Sequence, residues 1–350
     1  MPQKSKNIIL GFSGGIDSTY ALRFLSMENK VTTCTFFISQ EENQEVQMLK
    51  NKIISLTKHF TVDNIFVNMS DKFHRIVIKD FISKYIHGFT PNPCVICNRK
   101  IKFHLLYSQA LIHNYAHIAT GHYAKIEFQN GRYFIQQHND KIKDQSYMLW
   151  MLPQKYLSKL ILPLSHVPTK QDVRDIIQNE ITHYDINTPE SQDICFIPNG
   201  DIKSFFKTHY NKTIPHGDII LDGKKVGTHK GLPFYTIGQR KGLNVALGYP
   251  VFVKEIDSVK NQIIVCREKE LNNDSMLVTN VNLQKYKTIC NGFKCATMIR
   301  YHGYKYPCTL NWHNDKIIHV QFKHPVKAIA KGQSAVFYEE NDIVGGGIII

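Results

Sequence analysis

Three stretches carry residue types whose spacing can do chemistry. The first is Ser13-Gly14-Gly15-Ile16-Asp17-Ser18. Small residues let a backbone approach an anion closely. A helix starting there adds unpaired N–H groups and the positive end of its dipole. The stretch is therefore expected to hold phosphate. It lacks the Gly-Lys-Ser/Thr ending of a Walker loop. Two glycines alone would mark only a strand-to-helix turn. Two serine hydroxyls and an Asp at these positions favour the phosphate site.

The second stretch is FTPNPCVICNRK, residues 89–100. Its two prolines make the approach to Cys94 and Cys97 stiff and extended. Both thiols are expected near a helix N-terminus, with Arg99, Lys100 and Lys102 close by. Those features lower a thiol pKa and favour the nucleophilic thiolate. The third stretch is SQDICFIP, with Cys195 in a loop bracketed by Pro189 and Pro198. Cys34, Cys266, Cys290, Cys295 and Cys308 are expected to be small buried apolar residues.

The chain has 350 residues, enough for two or three domains. It is 43% hydrophobic and 21% charged, the balance of a globular protein. Forty-three Lys and Arg against 29 Asp and Glu give a formal charge of +14, which suits a polyanionic partner such as RNA. No apolar run reaches a membrane span, and no charged head precedes a long apolar core. A cytoplasmic location with reduced cysteines is expected, so cysteines with special spacing point to catalysis or metal.

Elements must position these residues. Apolar residues 7–12 enter the first loop and helical spacing over 16–27 leaves it. Strands are expected over 31–37, 63–67 and 117–119, and helices over 41–58, 71–86, 101–114 and 169–179. The last has a Thr169/Asp172 capping box. That alternation predicts an α/β fold, with a parallel sheet and ligands at the carboxyl ends of its strands. Residues 127–137 read as a hairpin around Asn130-Gly131. After about Ser204 glycines cluster and short strands replace helices. From Ser275 the strand spacing predicts a small antiparallel barrel. The expected domains are 1–205, a central domain 206–273, and a barrel 274–350.

SGGIDS resembles the pyrophosphate loop of ATP pyrophosphatases, which convert ATP to AMP while adenylating a carbonyl oxygen. With TPNPCVICNRKIKF, ATGHYAK, KDQSYML, SQDICFIP, FYTIGQRKGL and KGQSAVFY in order, the chain resembles the tRNA-specific 2-thiouridylase family from Gly11 to Ile350. That resemblance implies ATP-dependent 2-thiolation of the wobble uridine in tRNAs of the Lys, Glu and Gln type. It places ATP on Gly11, Phe12, Ser13, Gly14, Gly15, Ile16, Asp17, Ser18, Ile38 and Gly121. Mg²⁺ is expected with the triphosphate, and Asp17 is a candidate helper of the metal.

By the same resemblance Cys195 carries a persulfide, loaded by a cysteine desulfurase or a sulfur-relay protein. Cys97 is the resolving nucleophile, which implies a Cys97–Cys195 disulfide. The target base lies against Asn92, Pro93 and Cys94. Further tRNA contacts are implied at His122, Lys143, Asp144, Gln145, Arg300, Tyr301 and Gln333. Part of the family has an acid/base aspartate where this chain has Cys94, so that role does not transfer. Cys94, Cys97 and Cys195 also form a three-thiolate set that can hold a [4Fe-4S] cluster or zinc. The cluster stands as the second route for sulfur. A pyrophosphatase-type amide ligase would leave the three placed cysteines without a task, and a non-catalytic RNA-binding protein predicts erosion of SGGIDS or loss of a cysteine, which the sequence does not show.

Overall fold

The computed structural model describes residues 5–39, 42–167, 169–181, 194–197 and 200–350. Its first strand, Asn7–Gly11, explains the layering. Ile8, Ile9 and Leu10 are all fully buried, so both faces of the strand are covered, as in a parallel sheet. Ile9 packs with Phe103, Leu106 and Trp150 on one face. Ile8 and Leu10 pack with Tyr20, Leu22 and Ile53 on the other. The sheet order is Asp63–Asn68, Lys30–Phe37, Asn7–Gly11, His117–Thr120, Leu160–Ile161, and every pairing is parallel. The chain adds strands to one side of Asn7–Gly11 and then crosses to the other. The switch point lies between that strand and His117–Thr120, where such sheets bind ligands.

The expected helices form at Gln44–His59, Ser70–Ile86, Phe103–Ile112 and Lys170–Glu180. Thr169 and Asp172 make the reciprocal capping box. Two runs contain wide π turns, His74–Ile78 and Asn98–Lys102. Helix persists past Ser204, in Ile202–His209, because its Phe205 and Phe206 are buried against the first domain.

A four-stranded central sheet follows, in the order Phe252–Asp257, Gln262–Cys266, Gly217–Leu221, Lys224–His229. Six antiparallel strands then close into a barrel: Asn272–Leu283, Ile317–Lys327, Lys305–Asn314, Phe293–Met298, Ser334–Glu339 and Asp342–Ile349. Pairing of the last with the first shuts it. The hairpin Lys125–Gln129/Arg132–Gln136 forms as expected, but it joins the barrel sheet through Gln136 and Asp342. Sequence spacing shows a hairpin and not what it docks on.

Buried amides fasten the barrel to the first domain. Gln284 is fully buried; its Nε2 donates to the carbonyls of Leu149 and Trp150, both at 2.9 Å, and its Oε1 accepts from Ile135 N. Asn282 Nδ2 donates to Trp150 O at 2.8 Å. Tyr147 OH donates to Ser334 O at 2.8 Å. Each buried backbone carbonyl along 149–152 would otherwise lack water, so these bonds specify one docking geometry. No described helix is long and apolar enough to cross a membrane.

Candidate active site

The phosphate loop sits at the switch point, since Gly11 and Thr120 are register partners at the carboxyl ends of their strands. Short-range bonds wind it. Ser18 Oγ donates to Gly15 O at 2.9 Å, Ser13 N donates to Ser18 Oγ at 3.4 Å, and the two serine hydroxyls lie 3.2 Å apart. Gly14 has φ +70°, a region costly for an L side chain. Helix Ile16–Ser26 begins at Gly15 with no side-chain cap, which leaves its first turn suited to an anion. The opposite wall is Gly121. A Cβ there would stand 3.0 Å from the Asp17 carbonyl and from Ser18 N. Ile38 follows the strand Lys30–Phe37 and is half-buried at the same edge. The residues from Gly11 to Ser18, Ile38 and Gly121 are thus brought to one sheet edge.

Asp17 has partners that the sequence did not signal. Tyr123 OH donates to its Oδ1 at 2.9 Å and Lys170 Nζ to its Oδ2 at 3.1 Å. Lys170 opens the helix Lys170–Glu180, and its side chain is only 9% exposed. The Asp17 carboxylate thus pairs with Lys170 and ties that helix to the loop. Spacing carries no trace of a pair so far apart in the chain. The capping box at Thr169 marked only that a helix starts there.

Asn92 caps the short helix Pro93–Cys97, its Oδ1 accepting from Val95 N, while its Nδ2 donates to Met148 Sδ at 3.5 Å. Pro93 is buried; Cys94 and Cys97 are half-buried. Cys94 lies in the first turn. Cys97 ends the helix, so the expected N-terminal position holds for only one thiol. Asn98 donates to Met148 O at 3.1 Å and Arg99 to Met151 O at 2.7 Å, which docks residues 148–151 on this helix. Arg99 is thereby spent on a carbonyl, and Lys100 is exposed. Lys102, at the end of the π turn, is the cation whose charge acts on Cys94, Cys97, Cys195 and His122. A π turn carries an extra residue and shifts the phase of the helix that follows.

Cys195 is exposed, in a segment anchored by Phe196, whose ring packs on Phe73, Phe81 and Phe205. Pro189, residues 190–193 and Pro198 lie outside the described residues. The three thiols feel one another: a Cys195 thiolate raises the pKa of Cys94 and Cys97. The expectation of lowered thiol pKa values is overturned. Burial pushes Cys97 up to about 12, and Lys102 offsets this only in part. Burial likewise raises Cys94 and Cys195. Sequence showed the nearby cations but not the desolvation.

All eight cysteines are free thiols. Among the described residues no three His, Cys, Asp or Glu side chains stand close enough to hold a metal ion. Cys94, Cys97 and Cys195 are therefore not gathered here as a ligand set for a cluster or zinc. Cys34, Cys266 and Cys308 are buried as expected. Cys290 is exposed instead, because neighbouring Ile289 takes the inward position. Cys295 is half-buried, its sulfur 3.6 Å from that of Cys308 across two barrel strands.

His122 stacks on Phe103 and shares a 2.7 Å hydrogen bond between its Nδ1 and Thr120 Oγ1; burial, helped by Lys102, holds it neutral. Tyr301 crosses from the barrel, its OH donating to Asp144 O at 3.1 Å. Burial and the nearby Asp144 and Cys94 push its phenol up to about 12. Arg300 is exposed and Lys143 half-buried. Gln333 Nε2 donates to Thr90 O at 2.9 Å, fastening the Pro-Asn-Pro loop to the barrel. Asp144 is held inside its loop. It is buried, and its carboxylate accepts from Gln137 Nε2, His138 N and Ser146 Oγ, so it shapes the loop from inside. Gln145 is similarly engaged, its Oε1 accepting from Tyr123 N at 3.1 Å.

Comparison with known proteins matches this architecture. The tRNA methyl transferase HUP domain model covers residues 6–199, the corresponding PRC-barrel domain 203–267, and an aminomethyltransferase beta-barrel domain 273–349. The tRNA-specific 2-thiouridylase MnmA of Amoebophilus asiaticus is 38% identical, over 99% of this chain and 96% of its own length. The chain belongs to the tRNA-specific 2-thiouridylase family. A second family member, from Natranaerobius thermophilus, is 38% identical over 99% of this chain and 98% of its own. Among solved structures, the U34-tRNA thiolase NcsA from Methanococcus maripaludis with its [4Fe-4S] cluster aligns with 60% of this thiouridylase-family chain and 68% of its own. Identity there is 14% and the TM-score 0.36, too loose a likeness to bear on cofactor or reaction.

Proposed function

We propose that the protein thiolates the 2-position of the wobble uridine in tRNA, converting ATP to AMP and pyrophosphate. The carrying observation is one domain that sets the Ser13–Ser18 loop at a sheet switch point and brings Cys94, Cys97 and Cys195 within the electrostatic reach of Lys102. An amide-like carbonyl oxygen leaves poorly, and adenylation makes it a good leaving group. The loop from Gly11 to Ser18, with Ile38 and Gly121, binds ATP. Mg²⁺ travels with the nucleotide as part of the substrate.

Sulfur follows by two thiol steps. Cys195 bears a persulfide supplied by a cysteine desulfurase or relay protein. Its terminal sulfur attacks the adenylated C2. Cys97 thiolate then attacks the Cys195 Sγ and breaks the S–S bond. The electron pair stays on the sulfur at C2, the C=S bond forms, and AMP departs. The transferred sulfur is reduced and the two cysteines are oxidised to a disulfide, which an external dithiol restores. Asn92, Pro93 and Cys94 lie against the base, and Lys143, His122, Arg300 and Tyr301 against the tRNA. Regions 1–205, 206–273 and 274–350 serve as catalytic, central and RNA-facing domains in the cytoplasm.

The matched models are described by methyl transfer. An activated methyl donor asks for neither a phosphate loop nor paired thiols, so thiolation accounts for more of this site. Incubation with tRNA, Mg-ATP and a persulfide donor, read by mass spectrometry of nucleosides, tests the proposal. tRNA-dependent AMP together with 2-thiouridine is expected. AMP formed without any 2-thiouridine refutes it. Protein purified without oxygen is expected to be iron-free and fully active.

A further inference from the structure

Beside the thiol site a cavity of about 360 Å³ opens between the first domain and the barrel. It falls within the volume of ordinary ligand pockets, about 300–1,000 Å³. Lys141 lines it from one domain and Lys305 from the other. Both ammonium groups meet neutral acceptors: Lys141 donates to Asn341 Oδ1 at 3.0 Å, and Lys305 donates to the Glu340 carbonyl. Burial, then the Lys141 charge, lowers Lys305 to about 8, with Asp144 and Asp342 offsetting part of this. Two cations are thus held across one cavity, an arrangement that favours an incoming anion.

The rest of the lining mixes rings with polar groups: Tyr147, Tyr301, His302 and Tyr304 stand with Gln137, Asn341 and Asp144, whose carboxylate already accepts from Gln137 Nε2, His138 N and Ser146 Oγ. Tyr147 is buried at the floor, with Tyr301 5.8 Å from it between ring centroids. His302 and Tyr304 stand at the rim, and Tyr304 is 78% exposed. The turn between them is specific: Gly303 N donates to Arg300 O at 3.0 Å, and His302 sits in the left-handed region at φ 55°. A non-glycine residue held there costs energy and recurs at functional turns. An exposed tyrosine on such a turn, lining the same cavity as two lysines, has the composition of a platform for a stacked base and its phosphate. Tyr301 also lies within electrostatic reach of Cys94, so the cavity adjoins the place of the target base.

We infer that this cavity binds a second nucleotide of the RNA, one flanking the reactive uridine, with its base on Tyr304 and its phosphate between Lys141 and Lys305. The inference rests on the thiolation proposal and assigns a subsite to it. Holding the neighbouring nucleotide would keep the reactive uridine turned toward Cys94.

The test is anticodon stem-loop RNA binding by fluorescence anisotropy, with wild type, Tyr304→Ala, Tyr304→Phe and Lys141→Gln/Lys305→Gln. RNAs are intact or abasic at either nucleotide flanking the target uridine. Tyr304→Ala should weaken intact RNA about 5- to 100-fold, and Tyr304→Phe should bind as wild type. One abasic RNA should show the same loss on wild type and no further loss on Tyr304→Ala. The double lysine variant should reduce the salt-dependence slope by about 1, since the two lysines share one phosphate. Additive losses, or abasic RNAs that bind like the intact one, overturn the subsite. If wild type then still makes 2-thiouridine, only the subsite falls. If wild type neither binds RNA nor thiolates it, both readings fall.

Discussion

Between Ser13 and Ser18 the hydrogen bonds of backbone and serines span five residues or fewer, and only the Asp17 carboxylate reaches farther, to Tyr123 and Lys170. Around Cys97 almost nothing is local. Residues 148–151 dock on its helix, the barrel holds the Pro-Asn-Pro loop through Gln333, and Cys195 arrives on a segment pinned by Phe196. The two halves also differ electrostatically. Anion binding at the loop needs only backbone N–H groups and a helix start. Nucleophilic sulfur needs a thiolate, and burial opposes it at each of the three thiols. The comparison teaches that the activating half is preformed by local chain geometry. The three thiols are positioned by tertiary contacts, and burial works against their thiolate forms.

The largest effect that can break this division is at the thiols. Cys97→Ser or Cys195→Ser should cut thiolation about 10³-fold or more while tRNA-dependent AMP formation survives. Nucleoside mass spectrometry alongside an AMP assay measures both, and parallel loss of the two would erase the distinction between the halves. Gly121→Ala comes next. Its methyl must displace the loop backbone, and AMP formation should fall about 10²-fold, because misplacing a reacting group by an ångström costs that much. Normal AMP formation in this variant would mean the loop is softer than its packing implies.

Lys102→Met sharpens the electrostatic side. Cys97 is pushed up to about 12, so its thiolate is the minor form at neutral pH and single-turnover sulfur transfer should climb as pH rises. Lys102 lowers that value, so its removal should move the profile to higher pH and slow transfer at fixed neutral pH. An unmoved profile would assign Lys102 to packing alone. The smallest effect is expected for Gln333→Ala. Losing the bond to Thr90 O should cost about 1 kcal/mol of stability and slow sulfur transfer a few-fold. Thermal unfolding and the two assays read it, with AMP formation unchanged.

Much of the first domain was legible in the chain. Alternating strands and helices announced a parallel sheet, and the loop chemistry placed the anion site on its edge. The capping box at Thr169 and the hairpin at Asn130-Gly131 formed as their spacing required. Other features had no local signal. The Asp17–Lys170 pair, the Gln284 hub and the docking of the hairpin on the barrel each join residues more than a hundred positions apart. Asp144 lies in a polar stretch that reads as surface, yet it is buried. Charge beside Cys94 and Cys97 was plain, whereas the desolvation that outweighs it arises from walls contributed by other elements.

By itself the sequence determined the parts that depend on backbone conformation and residue type: a loop that can cradle phosphate, strands with buried runs, and cysteines introduced by stiff prolines. Tertiary structure decided which charges meet and which groups lose water. It paired Asp17 with Lys170, spent Arg99 on a carbonyl, brought the charge of Lys102 to bear on three thiols, and took water from Cys94 and Cys97. The physical reason is range. Turn and helix preferences act over a few residues, while burial and Coulomb forces depend on distances that only the folded chain defines.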